Sequence, residues 1–167
     1  MIDAVDWHIL NNLQTNARIS NVDIARKLRM APSAILERIR RLEKRGLITG
    51  YEARLSPLAV GLGLLVFVFV RTDEKVGMVA AAELVAEIPE VLEVHHVAGE
   101  DCYLVKLRVK DTEHLSRVMR ERLGQIKAIR STRTTIALET IKETAKLPLF
   151  DQGRTIEKAK RRRKSRN

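Results

Sequence analysis

Segment 31–48, "APSAILERIRRLEKRGLI", interleaves aliphatic and charged residues at helical spacing. At 3.6 residues per turn, Ile35, Ile39 and Leu42 share one apolar stripe that a folded domain would bury. Gly46 is placed to end this helix. The spacing predicts that a second, largely basic side faces solvent, and its candidate residues are Ser33, Ala34, Glu37, Arg38 and Arg41.

A helix with such a side is suited to double-stranded DNA, because an α-helix fits the major groove and its N-terminal turns reach the bases. Arg38 and Arg41 can each donate two hydrogen bonds to a guanine edge, although they could equally hold phosphates. Glu37 can accept from cytosine or orient an arginine. Phosphate contacts fix register without reading sequence, and we expect them from Arg26, Lys27, Lys44, Arg45 and Arg54.

The residues before and after this helix predict a winged helix-turn-helix domain over residues 1–50. A first helix is expected from Asp3 to about Gln14, and "SNVD" from Ser20 has the form of a capping box at the start of a second. Pro32 suits the first turn of the third helix. The alternation in "LITGYEARLS" predicts a short β-wing, so residues 51–63 are interpreted as a wing strand and linker.

Residues 64–149 show strand and helix patterns in the order β-α-β-β-α-β, which is typical of a ferredoxin-like domain. Strands are expected at 64–70, 91–97, 102–110 and 129–141, with helices at 78–88 and about 115–126. The fold class is therefore α+β. Both helices must cover one face of a four-stranded antiparallel sheet, and the apolar content of the other face indicates a second subunit.

Charge is concentrated at the two ends of this 167-residue chain, whose net charge is +10. Residues 1–50 carry +4, residues 51–150 are neutral, and residues 151–167 carry +6. Basic ends suit a nucleic-acid partner. With few apolar residues, segment 150–167 is predicted to be a basic disordered tail. The chain has neither an 18-residue apolar run nor a basic leader, and Cys102 is its single cysteine. These features predict a cytoplasmic protein at the nucleoid without membrane contact.

Two further groups of residues have ligand-binding potential. His95 and His96 are adjacent on a predicted strand, so they point to opposite faces and cannot chelate one metal; no metal site is expected. The loop around Gly99 offers backbone N–H groups for a carboxylate, and its acidic residues offer charge for an ammonium. This loop is therefore either an amino-acid site or an ordinary hairpin turn.

Four stretches together resemble the Lrp/AsnC, or feast/famine, family across roughly residues 2–149. They are "DWHILNNLQTNARISNVDIARKL", "APSAILERIRRLEKRGLITGYEARLSPLAVGL", "VAGEDCYLVKL" and "ALETIKETAKLPL". The resemblance implies a DNA-binding winged head and a so-called RAM domain that pairs subunits by its sheets and often senses an amino acid. The effector site that it implies comprises Gly99, Glu100, Asp101, Cys102, Tyr103, Thr134 and Thr135.

The sequence departs from the family pattern at three positions. Arg29 occupies a turn where glycine is usual, so we expect an uncommon backbone conformation there. Ala31 replaces a capping serine, a loss of about 1 kcal/mol. Cys102 replaces the aspartate of the family's G-x-x-D-Y loop, although Asp101 is adjacent.

The combined prediction is a sequence-specific DNA-binding transcriptional regulator rather than an enzyme. It is expected to form homodimers that assemble to an octamer or a similar ring, and to need no cofactor beyond a possible amino-acid effector. One alternative is an architectural nucleoid protein with little sequence preference, which the basic tail would suit. Another is a sirohaem-decarboxylase-like enzyme using His95 or His96, although such an enzyme has no need of a basic helix and tail.

Overall fold

The structure is a computed structural model that describes residues 2–75, 77–99 and 101–149. Its contacts define two compact units, one formed by the chain up to Ala53 with the described residues from Glu143 onward, the other by Arg54–Lys142. Residues 143–149, assigned from the sequence to the second domain, therefore contact the first unit. The predicted tail at 150–167 and the effector candidate Glu100 lie outside the described residues.

Three helices form the first unit: α1 (Ala4–Thr15), α2 (Asn21–Leu28) and α3 (Pro32–Lys44). Asp3 caps α1 in a reciprocal capping box, accepting from the Asp6 backbone N–H at 2.8 Å while the Asp6 carboxylate accepts from Asp3 N–H. Ser20 caps α2 by accepting from Asp23 N–H at 3.0 Å. These caps supply partners for backbone donors that a helix start leaves unpaired.

The apolar stripe predicted for α3 is buried against the other two helices. Ile35 and Leu42 are fully buried and Ile39 is nearly so. Fully burying a side chain of this size is worth about 1.5–3 kcal/mol, so this stripe holds α3 in the unit. The remaining buried members of this core are Ile9, Leu10, Ile24 and Ala25.

The two departures expected around the turn between α2 and α3 are confirmed. Arg29 ends α2 in the left-handed conformation, with φ 54° and ψ 46°. Ala31 stands at the N-cap of α3 and makes no side-chain capping bond.

The prediction of a β-wing after α3 is wrong for this chain: none of residues 46–63, all of them described, is in a strand. A strand forms only when another strand pairs with its backbone, and this segment has no such neighbour in the described chain. Instead, the Tyr51 hydroxyl donates to Glu43 of α3 at 2.9 Å.

The second unit is a four-stranded antiparallel sheet of order β2-β3-β1-β4. Its elements are β1 (Leu64–Thr72), α4 (Ala80–Ala86), β2 (Val91–His96), β3 (Tyr103–Val109), α5 (Thr112–Glu121), a short 3₁₀ turn (Leu123–Gln125) and β4 (Ile129–Ile136). The predicted ferredoxin-like order is confirmed. Several elements are shorter than expected. β4 ends at Ile136 rather than 141 because its partner β1 begins at Leu64, which leaves later residues nothing to pair with.

Alternation along the central strand separates the two faces of this sheet. Val66, Val68 and Val70 are buried in a core with residues of β3, α4 and α5. Phe67 and Phe69 point to the opposite face, where they are half-buried. We call this the open face. Arg133 of β4 lies on it, over the Phe69 ring, and pairs with Asp101 of the loop around Gly99, which is called the effector loop below.

The described residues lack two other kinds of structural feature. No helix there is long and apolar enough to cross a bilayer. No group of three or more metal-binding side chains comes together in the same residues.

Candidate nucleic-acid interface and effector loop

The outermost stripe of α3 lies opposite its buried stripe and is mostly polar. At 100° per residue, the positions facing away from Ile35, Ile39 and Leu42 share one exposed side, and they are Ser33, Glu37, Arg40 and Lys44. We call this the outer stripe. Arg41 lies beside it with 52% of its side chain exposed, and Ala34 is half-buried.

The expectation that Arg38 faces solvent is wrong. Its guanidinium lies 2.6 Å from an oxygen of Asp3 and 2.7 Å from an oxygen of Asp6, and only 23% of its side chain is exposed. Asp6 is fully buried, and Arg41 approaches it less closely, at 3.3 Å and 3.5 Å. In the unbound chain, Arg38 therefore already compensates the buried carboxylate of Asp6.

The position of Arg38 on the helix explains this pairing. Arg38 lies on the flank between the buried stripe and the outer stripe, on the side of α3 that meets the start of α1. The hydrogen bond from Arg38 lowers the pKa of Asp3 below its ordinary value, and the two carboxylates raise the pKa of Arg38. Asp3 and Arg38 therefore both stay charged at neutral pH.

Sequence reasoning missed Asp6 as a structural carboxylate and Arg40 as a surface residue. The signal for Asp6 was a matched spacing: Asp3 and Asp6 are three apart, and so are Arg38 and Arg41 on the facing helix. The signal for Arg40 was its place seven residues after Ser33 and three after Glu37, which puts it on their side of the helix.

The residues expected to hold phosphates are dispersed over the surface. Arg26 is 75% exposed and pairs with Asp23 at 3.1 Å, while Lys27 donates to Asn12 at 2.8 Å. Lys44 and Arg45 are exposed at the C-terminal end of α3. Arg54 is exposed and belongs to the second unit.

The effector loop joins β2 to β3 and is fixed by backbone bonds. Cys102 N–H donates to Val70 at 2.9 Å, and its carbonyl accepts from Val97 N–H at 3.0 Å. Gly99 has φ 143°, a conformation that favours glycine. The Asp101 carboxylate pairs with Arg133 of β4 at 3.0 Å, and the Arg133 guanidinium lies 4.0 Å from the centre of the Phe69 ring.

The structure divides the predicted effector residues between two faces of the sheet. Thr135 is exposed opposite Phe67, on the open face with Arg133. Thr134 is opposite Val68 and therefore points the other way. Tyr103 is buried on that second side, where its hydroxyl donates to Met78 at 3.3 Å; burial raises the pKa of this phenol. Asp101 and Tyr103 therefore do not converge on one ligand within a single chain.

Sequence reasoning missed Arg133, the cation that Asp101 contacts. Its signal was period-two spacing, since an arginine two residues before Thr135 on a strand lies on the same face.

Comparisons with known proteins agree with both units. A winged helix-turn-helix DNA-binding profile matches residues 2–49, and the Lrp/AsnC ligand binding domain matches residues 65–147. The leucine-responsive regulatory protein of Escherichia coli K12 is 36% identical over 148 residues, which cover 87% of this chain and 90% of that protein. The chain belongs to the Lrp/AsnC family.

Solved structures of the Lrp/AsnC family show the same fold. A transcriptional regulator of Neisseria meningitidis in complex with L-methionine has a TM-score of 0.80 and 32% identity, covering 89% of this chain and 97% of its own. The feast or famine regulatory protein of M. tuberculosis, also complexed with L-methionine, has a TM-score of 0.81 and 31% identity, covering 88% and 99%. This Lrp/AsnC chain is a DNA-binding transcriptional regulator and not an enzyme. The decarboxylase alternative is therefore rejected.

Proposed function

We propose that this Lrp/AsnC regulator reads its operator with the outer stripe of α3 and with Arg41. The observation that carries the proposal is the separation of faces on α3: the apolar stripe is buried, Arg38 is engaged by two carboxylates, and Arg40 and Lys44 remain exposed. Arg38 then acts through the position of α3 rather than on a base. Ser33, Ala34 and Glu37 lie in the first turns, where a recognition helix approaches base edges.

The proposal predicts different outcomes for three arginines in a selection of bound DNA sequences. Arg40→Ala and Arg41→Ala are expected to relax the preference at individual base pairs by about 5- to 150-fold, the discrimination of one bidentate arginine–guanine contact. Arg38→Ala is expected to weaken binding to all sequences together, because the folded head is less populated. Arg120→Ala removes an exposed cation from α5 of the second unit and serves as the charge control.

Contacts to phosphates are proposed for Arg26, Lys27, Lys44, Arg45 and Arg54. Each substitution should lower affinity similarly for all sequences and reduce the salt slope of log K by about 0.9 per lost contact. If a variant changes the selected sequence instead, the substituted side chain contacts a base rather than a phosphate. DNA footprinting at physiological salt tests the architectural alternative, since short phased protection indicates a regulator and continuous coverage indicates a compacting protein.

We propose that an amino acid is the effector, since two similar regulators are solved with L-methionine. Asp101 would hold the ammonium group, while Arg133 and the backbone N–H groups of the loop would hold the carboxylate. The ligand would then replace the ion pair that these two side chains make with each other. Gly99 and Cys102 would shape the loop, and Thr135 would line the open face. Tyr103 and Thr134 would act from the other face, and Glu100, outside the described residues, would add negative charge.

Calorimetric titration of the full chain with each of the twenty amino acids tests this assignment. Asp101→Asn and Arg133→Gln are expected to abolish binding of the amino acid that titrates. Arg130→Gln is the matched control, because Arg130 lies on β4 with Arg133 but its guanidinium pairs with Asp73 rather than with Asp101. Binding that survives both Asp101→Asn and Arg133→Gln would place the effector elsewhere.

We propose that the chain acts as an oligomer at the nucleoid. Phe67 and Phe69 on the open face are only half-buried in the single chain, so a second subunit packing there would bury them. Phe69→Glu is expected to lower the mass measured by sedimentation to that of a smaller assembly. If the mass is unchanged, the subunits contact each other through another surface. The same measurement on the unaltered chain distinguishes a dimer from an octamer.

A further inference from the structure

The main chain passes between the two compact units at two places. It leaves the first unit after Ala53, and it returns to that unit at Glu143. The chain is in neither helix nor strand around both places. The contacts that hold the returning segment therefore decide whether the units are joined by one fixed connection or by two.

The returning segment is held on α1 by hydrogen bonds and by one apolar side chain. The Gln14 carboxamide accepts from Leu147 N–H at 2.7 Å and donates to the Leu147 carbonyl at 3.3 Å. The Lys146 ammonium donates to the Thr15 hydroxyl at 2.9 Å. Leu149 is half-buried and packs against the core of the first unit. We call these contacts of Lys146, Leu147 and Leu149 the C-terminal clasp.

Both connections between the units are short. In the first, the Tyr51 hydroxyl is bonded to α3, and backbone hydrogen bonds fold residues 56–62 into turns ahead of β1. In the second, Ala137 N–H donates to β1 at 3.0 Å, and the clasp begins at Lys146. At about 3.6 Å per residue, the chain spans at most about 18 Å from Tyr51 to Ser56 and about 32 Å from Ala137 to Lys146.

Two connections restrict motion more than one does. A body joined at one point can turn about that point in every direction, whereas a body joined at two points can turn only about the line through them. We propose that the C-terminal clasp restricts the orientation of the DNA-binding unit, so that Gln14 and Leu149 help to determine the spacing between two half-sites. This inference rests on the proposed role of α3 and on the proposed oligomer, which brings two such units to one operator. Since the clasp lies on α1, it determines which pairs of half-sites are bound together and not which bases α3 contacts.

Selection of bound DNA with the full chain tests this role. The library joins two copies of the selected half-site by spacers of every length over two helical turns. The unaltered chain is expected to enrich spacers one helical turn, about 10 base pairs, apart. A spacer that admits only one unit loses the avidity of the second, which is worth about 10²- to 10⁴-fold.

The clasp is removed in Gln14→Ala combined with Leu149→Ala. The remaining connection of about 18 Å lets a unit shift by about five base pairs at 3.4 Å per pair, or half a helical turn. The preference between spacers is therefore expected to fall below about tenfold, while the selected half-site sequence is unchanged. Trp7 fluorescence verifies that the first unit of this variant is folded.

A second variant leaves the core of the first unit intact. Gln14→Met keeps the length and helix propensity of the side chain but removes both bonds to Leu147. Faster hydrogen exchange of the Leu147 amide verifies that the clasp is weakened, and the spacer preference is expected to relax in the same direction. Asn11→Ala is the matched control, because it shortens a side chain on α1 that takes part in none of the clasp bonds. If the double variant is unfolded, Gln14→Met alone decides the outcome.

Three results would overturn the inference. They are an unaltered chain that binds all spacers equally, clasp variants with the spacer preference of the unaltered chain, and an equal relaxation in Asn11→Ala. An unaltered chain that selects no half-site sequence at all would instead overturn the proposed function of α3.

Discussion

Arg38 offers the most direct test of how the DNA-binding unit is assembled. Arg38→Ala removes the closest partner of both acidic side chains, a guanidinium that lies 2.7 Å from Asp6 and 2.6 Å from Asp3. Removing one partner of a buried ion pair costs about 3–5 kcal/mol, because the other charge stays buried and uncompensated. Arg41 remains near Asp6, and Arg38 itself is 23% exposed. We therefore expect a loss of about 2–3 kcal/mol in the free energy of unfolding.

The assay uses the single tryptophan of the chain, Trp7, which lies on α1 and packs against the core of the first unit. Its fluorescence during urea denaturation reports on this unit alone, whereas the chain as a whole need not unfold in one step. With a slope of about 1 kcal/mol per molar urea, the expected midpoint shift is about 2–3 M. Arg41→Ala is the matched control, expected to cost under about 1 kcal/mol because Arg41 is half-exposed and its bonds to Asp6 are longer.

Urea denaturation of the same variants at acidic pH gives a further prediction, the direction in which the urea midpoint depends on pH. The pKa of Asp3 lies below its ordinary value of 3.8 in the folded state, chiefly through its bond to Arg38. A lowered folded pKa adds stability above the unfolded value and loses it as the pH falls through the folded pKa. Arg38→Ala should therefore flatten the fall of the urea midpoint below about pH 4. The reasoning is refuted if Arg38→Ala shifts the midpoint no more than Arg41→Ala does.

Three further predictions concern the turn before α3 and its C-terminal side. Arg29→Gly is expected to raise the free energy of unfolding by about 0.5–1 kcal/mol in the Trp7 assay, because glycine adopts the left-handed conformation of this position without strain; destabilisation would contradict it. Ala31→Ser should add about 1 kcal/mol by supplying the missing N-cap acceptor, and Ala31→Val is the control that cannot. Burial and the bond to Glu43 raise the pKa of Tyr51 to about 12. In Glu43→Gln, ultraviolet titration of the phenolate should show a lower pKa for Tyr51, still above 10, and a fixed pKa would exclude Glu43 as a cause.

Periodicity predicted the elements of this chain well, because helix and strand patterns report which side chains are buried. Ile35, Ile39 and Leu42 appear in the sequence at the spacing with which they are buried in the structure. The wing was predicted from alternation and from the family resemblance, and neither indicates whether a second strand is present within the chain to pair. The end of β4 was likewise set by the length of β1, a neighbour distant in sequence.

The site was harder to predict than the fold, because similar charged residues on one helix have different roles, depending on the side chains that they contact. Arg38, Arg40 and Arg41 lie within four residues, yet only Arg38 is committed to two carboxylates from α1. The sequence shows the cations of α3 but not that Asp6 is buried beside one of them. A buried carboxylate needs a counter-charge in the free protein and in the complex alike. If Arg38 moved to contact DNA, the buried carboxylate of Asp6 would lose its closest counter-charge, and the unit would lose stability. We therefore propose that recognition falls to neighbouring residues of α3 that are not the closest counter-charge of Asp6.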